Sequence, residues 1–134
     1  MDKKIIIDGN HAILGRLASY AAKQALLGKE VVVVNCDGVV ISGKSRMIIN
    51  EYKISRTRGG SSLRGPFFPK QPERIVKRTI RGMLSHRQGR GEAALDRVFC
   101  YDEVPTEYVQ SKKIIAGKEK NNQIITLKEL EQEL

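Results

Sequence analysis

Two runs of β-branched residues constrain this chain more than anything else in it. Lys4-Ile-Ile-Ile-Asp8 and Glu30-Val-Val-Val-Val-Asn-Cys36 are apolar at successive positions rather than at alternate ones. A strand with one wet face alternates, whereas a continuous run belongs to a strand covered on both faces, as in parallel sheets. Between the runs, Leu14, Leu17, Ala18, Ala21, Ala22 and Ala25 recur at threes and fours, which predicts an amphipathic helix stopping near Gly28. Strand, helix, strand in that order is a crossover connection. It predicts an α/β chain with parallel neighbours.

The remaining elements are quieter. Asp8-Gly9-Asn10 and Asp37-Gly38 read as turns, Val39-Val-Ile41 as a short third strand, and Gly43 to Arg56 as a helix spaced by Met47, Ile48 and Tyr52. Ala93-Ala-Leu95 follows much later, and then Val98-Phe-Cys-Tyr101 as a last strand. Lys112 to Asn122 reads as loop, and Thr126-Leu-Lys-Glu129 as a capping box opening a terminal helix, Thr126 to Leu134. With 134 residues, 40% hydrophobic and 29% charged, residues 1–134 are expected to form one folded domain. No apolar run approaches the ~20 residues of a membrane span. The N-terminal run of three is too short for a signal peptide, so a soluble, cytoplasmic protein is expected. Cys36 and Cys100 have no metal-ligand spacing and read as reduced thiols among apolar neighbours.

The net charge of +9 is not spread along the chain. Residues 53–97 hold twelve Lys/Arg against Glu73, Glu92 and Asp96, and the rest of the chain is neutral. Such concentration is the footprint of a polyanionic partner. Within it, Pro72 and Glu73 suit a first helical turn. Val76, Ile80, Met83 and Leu84 then form an apolar stripe, with Ile75 at its edge. Arg74, Lys77, Arg78 and Arg81 form a second stripe at i, i+3, i+4 and i+7. Like charges so aligned cost roughly 0.2–0.5 kcal/mol per pair, which phosphates would offset. Arg56-Thr-Arg58-Gly-Gly-Ser-Ser-Leu-Arg64-Gly65 and Ser85-His86-Arg87-Gln-Gly-Arg90-Gly91 read as basic, Gly-rich loops on either side, and Lys70 precedes the helix. His86, between basic residues, is expected to contact RNA or cap a helix end.

Catalytic readings are weaker. Gly38-Val-Val-Ile-Ser-Gly43-Lys44-Ser45 satisfies the phosphate-loop pattern, which leaves a small nucleotide-binding enzyme using Lys44 as the alternative function. Its β-branched residues prefer a strand to the nest of N–H groups that such a loop needs. Asp8 to Arg16 lacks the glycine spacing of a dinucleotide loop. His11 and His86 have no nucleophile partner, so no catalytic residue, metal, cofactor or small-molecule substrate is expected. Three Phe, four Tyr and no Trp leave no stacking platform, so recognition should rest on phosphates and shape.

Taken together, Ile7-Asp-Gly9, Leu14-Gly-Arg-Leu-Ala-Ser19, Val31 to Cys36, Ile41-Ser-Gly43, Arg64-Gly-Pro66, Arg81-Gly-Met-Leu84 and Gly89-Arg-Gly91 resemble the family of ribosomal protein thirteen of the large subunit, in its archaeal branch. The match in order and spacing runs from about residue 5 to Tyr108. The resemblance implies a three-layer α/β/α fold around a mostly parallel sheet of about four strands, with basic loops and a short C-terminal helix. It also implies binding to large-subunit ribosomal RNA beside neighbouring ribosomal proteins, in support of subunit assembly and translation. The expected RNA-binding residues are Arg56, Arg58, Arg64, Lys70, Arg74, Lys77, Arg78, Arg81, His86, Arg87 and Arg90. This chain departs from the family's usual pattern beside His86, where Ser85 precedes it and Arg87-Gln88 follow.

Overall fold

The computed structural model describes residues 4–57, 70–85, 87–111, 113–115 and 124–134, the side chains of 56 and 57 excepted. β1 (Lys4–Asp8) leads through α1 (Leu14–Leu26) to β2 (Glu30–Val34), and the two strands pair in parallel, Ile6 opposite Val32. β4 (Val98–Cys100) continues the sheet beyond β2, and β5 (Ile114–Ile115) pairs with the other side of β1. The order β4-β2-β1-β5 is parallel throughout. β3 (Val40–Ser42) instead pairs antiparallel with β6 (Ile124–Thr126), forming a separate two-stranded sheet.

The β-branched runs do what their lack of alternation demands. Ile5, Ile7, Val31, Val33 and Val98 point to one face, where they meet Leu17, Ala18, Ala21 and Ala25 of α1 in the main core. α2 (Ser45–Thr57), α3 (Pro72–Gly82), α4 (Gly89–Asp96) and α5 (Leu127–Glu133) add Ile48, Ile75, Val76, Ile80, Ala94, Leu127 and Leu130 to that same cluster. Ile6, Val32 and Val34 point the other way, beneath Tyr108, Tyr101 and Val104. The layer on that second face is a 3-10 turn, Thr106–Tyr108, with its flanking residues. No described helix is long and apolar enough to cross a membrane.

The structure revises several sequence expectations. Val98–Cys100 is not the last strand, since β5 and β6 follow it. β5 falls inside the stretch read as loop, where its two isoleucines are too few to show a period. Ala93–Leu95 belongs to α4, and so do Gly89, Arg90 and Gly91, which therefore are not open loop. Gly91 is there for close approach: a Cβ on it would stand 2.0 Å from the carbonyl oxygen of Ser85. Met83 is 45% exposed just past the end of α3, while Ile75 is core at 3%. The N-cap expected of Thr126 is present, its hydroxyl accepting from the Glu129 N–H at 3.2 Å. Cys36 and Cys100 are both free, Cys36 buried with its thiol donating to the Val33 carbonyl at 3.8 Å and Cys100 half-buried near it.

Candidate nucleic-acid interface

α3 is the framework of the basic surface. Gln71 gives it no side-chain cap, so its first turn is held from a distance, the Glu73 N–H donating to Asp102 Oδ1 at 2.9 Å. That carboxylate, just beyond β4, satisfies an orphan donor and complements the helix dipole. Ile75, Val76 and Ile80 then fix the helix azimuth by burial against α1 and β4. With that face inward, Arg74 and Arg81 stand exposed and Lys77 and Arg78 are half-buried.

The four cations of the stripe are not equivalent. Lys77 Nζ donates to the carbonyl of Leu95, at the end of α4, at 3.2 Å, and makes a second, short contact to that of Val98. Because Val31 N–H takes the Arg97 carbonyl and Tyr101 N–H donates to Val33, the Val98 carbonyl faces outward from the sheet. Lys77 thus closes an edge strand that would otherwise offer a free carbonyl, and its ammonium lies 5.9 Å from the Phe99 ring centroid. Arg97 is engaged in the same way, donating to the Ala25 carbonyl at the end of α1 at 2.6 Å. Both lie at helix C-termini, where cations are favoured. Sequence spacing sees their charge but not the distant carbonyls that hold them.

Arg78 faces α2. Burial pushes the Tyr52 phenol of that helix above its ordinary pKa, and the Arg78 guanidinium, near enough to act through its charge, pulls against that shift. Lys70, Arg87 and Arg90 are exposed, Arg90 in the first turn of α4. A cation at a helix N-terminus opposes the dipole by about 0.3–1 kcal/mol, a cost that a bound anion relieves. None of Arg74, Arg81, Arg87 and Arg90 pairs with a carboxylate among the described residues. Arg58, Arg64, His86 and the side chain of Arg56 lie outside the described residues. Those remaining place five exposed cations around α3 and the start of α4.

The phosphate-loop alternative fails on its own geometry. Val40, Ile41 and Ser42, which would have to form the nest, are extended and paired with Thr126, Ile125 and Ile124. No group of His, Cys, Asp and Glu that could hold a metal occurs among the described residues.

Comparison with known proteins decides the family. The model of the family described as Ribosomal protein L13 matches residues 2–107, well over half of the chain. The chain belongs to the ribosomal protein L13 family. Among its relatives, the large ribosomal subunit protein uL13 of Methanosarcina barkeri is 48% identical over 110 residues, 81% of this chain and 78% of the relative. Those of Methanococcoides burtonii and Thermoplasma volcanium are 39% and 43% identical, each over 96% of both chains. The L13 family is one of structural ribosomal proteins and not of enzymes, which removes the Lys44 reading on independent grounds. The L13 match ends just short of Tyr108, so β5, β6 and α5 lie beyond it.

Proposed function

We propose that this chain is a structural component of the large ribosomal subunit that holds large-subunit RNA on the surface around α3. Arg74, Arg78 and Arg81 of α3, Lys70 before it, and Arg87 and Arg90 at the start of α4 face the phosphates. Arg56, Arg58, Arg64 and His86 contribute further RNA contacts, and Lys77 sets the geometry of the α3 surface from beneath. The observation that carries this reading is the placement of Arg74 and Arg81, exposed and without a carboxylate partner among the described residues, on a helix whose other face is locked into the core. Neighbouring large-subunit proteins are its further partners, and assembly and translation the processes it serves.

The test is binding to large-subunit RNA fragments across a salt series. Arg74→Ala and Arg81→Ala should each reduce the slope of log affinity against log salt, by about 0.9 for a duplex contact and about 0.7 for a single strand. Lys128→Ala in α5 should leave it alone. Unchanged slopes for the α3 variants beside a reduced slope for Lys128→Ala would move the RNA face elsewhere.

A further inference from the structure

α2 presents a second face to solvent that the basic stripe of α3 does not include. Arg46, Asn50 and Lys53 fall at i, i+4 and i+7 along it and are exposed, and Met47 beside them is 61% exposed. With Ile49 and with Glu133 of α5 they line an open groove of about 850 Å³. That volume lies in the range of about 300–1,000 Å³ in which small-molecule-sized groups are held. Arg78 of α3 lies near enough to Tyr52 of α2 to act on it through its charge, so the groove's helix neighbours the surface already described.

The lining selects among nucleic-acid conformations. A duplex keeps its bases stacked and presents phosphates to an outward-facing row of cations. Here cations share one concavity with Met47 and Ile49, apolar surface that suits the face of an unstacked base. Glu133 adds a direction. Its carboxylate repels phosphate but accepts from a base amino group, as carboxylates do from cytosine N4. Cations, apolar surface and a carboxylate in one groove therefore suit the phosphate, the base face and the base amino group of a nucleotide.

We infer that this groove receives an unpaired stretch of the large-subunit RNA, with backbone phosphate on Arg46 and Lys53, a base against Met47, and a base amino group donating to Glu133. The inference rests on the RNA-binding reading above. The experiment uses the full chain and large-subunit RNA fragments in the same salt series, with thermal melts in parallel. Arg46→Ala and Lys53→Ala should each lower the slope by about 0.7, the single-strand value, and Arg46→Lys should restore it. Met47→Ala should weaken binding at an unchanged slope, and Glu133→Gln should weaken it too. If the α3 variants lower the slope while Arg46→Ala and Lys53→Ala do not, the groove serves another partner, such as a protein segment, and the inference falls alone. If neither set moves the slope, the RNA-binding reading falls with it. Tighter binding by Glu133→Gln would put phosphate beside that carboxylate and overturn the assigned orientation.

Discussion

Replacing Lys77 by methionine separates a structural cation from an RNA-binding one. Methionine keeps most of the aliphatic stem, so the main loss is the ammonium and its two bonds to Leu95 and Val98 carbonyls. A hydrogen bond from a charged donor contributes about 1.5–3 kcal/mol. Lys77 is half-buried, so water can reach part of what the ammonium vacates. We therefore expect Lys77→Met to cost about 1–3 kcal/mol in all. For a chain of this size each kcal/mol moves Tm by roughly 3–5 °C, giving a fall of roughly 3–15 °C. Circular dichroism melts read that directly. The same protein should bind RNA fragments with the salt slope of the parent, whereas Arg81→Ala should lose about 0.9 of slope with Tm almost unmoved. A drop of about one unit of slope for Lys77→Met, with an unchanged melt, would mean that its ammonium sits on a phosphate and that these contacts are incidental.

Three further outcomes follow from the packing. Ile80→Ala, at a fully buried position, should cost roughly 2–5 kcal/mol in denaturant melts through lost burial and a cavity. Asp102→Ala should destabilise by about 0.5–2 kcal/mol as α3 loses its cap, and amide exchange should rise first at the N-terminus of that helix. Cys36 supplies a pH dependence: the neighbouring Cys100 thiol, followed by burial, holds its own thiol far above the ordinary range. A raised acid pKa leaves stability intact below the unfolded thiol's pKa of about 8.5 and erodes it above, by up to about 1.4 kcal/mol per pH unit. Melts across pH 8 to 10.5 should show that decline, and Cys36→Ala should flatten it.

The sheet's central strands were legible because their signal is local. Ile5 to Ile7 and Val31 to Val34 state by composition alone that both faces are covered, and α1 states its period over three turns. The azimuth of α3 was nearly as plain, and only Met83 and Ile75 exchanged places, since the helix ends at Gly82 before Met83 can turn inward. What could not be read depends on partners remote in sequence. Asp102 reaches Glu73, Arg97 reaches Ala25 and Lys77 reaches Val98, and none leaves a periodic trace. Gly89 to Gly91 reads as loop rather than helix for a related reason. Glycine suggests freedom, whereas Gly91 is required by the nearness of a Ser85 carbonyl that only the folded chain supplies. Arg46 stands outside the run of concentrated charge, and only the groove it shares with Glu133 sets it apart.

The pairing of β3 with β6 sets an order of events as the chain leaves the ribosome that makes it. β1, α1 and β2 are all local and can associate early. β3 emerges next but finds its partner only when Ile124 to Thr126 has been synthesised, and Leu127 and Leu130 arrive later still to fill a core that the first half began. Domains generally fold as units during synthesis. Here the unit is completed from its far end, and until then the β3 edge and the apolar seat of α5 stand open. The basic surface of α3 is made before that closure, so a nascent chain can display its arginines to RNA while its own core is still unfinished.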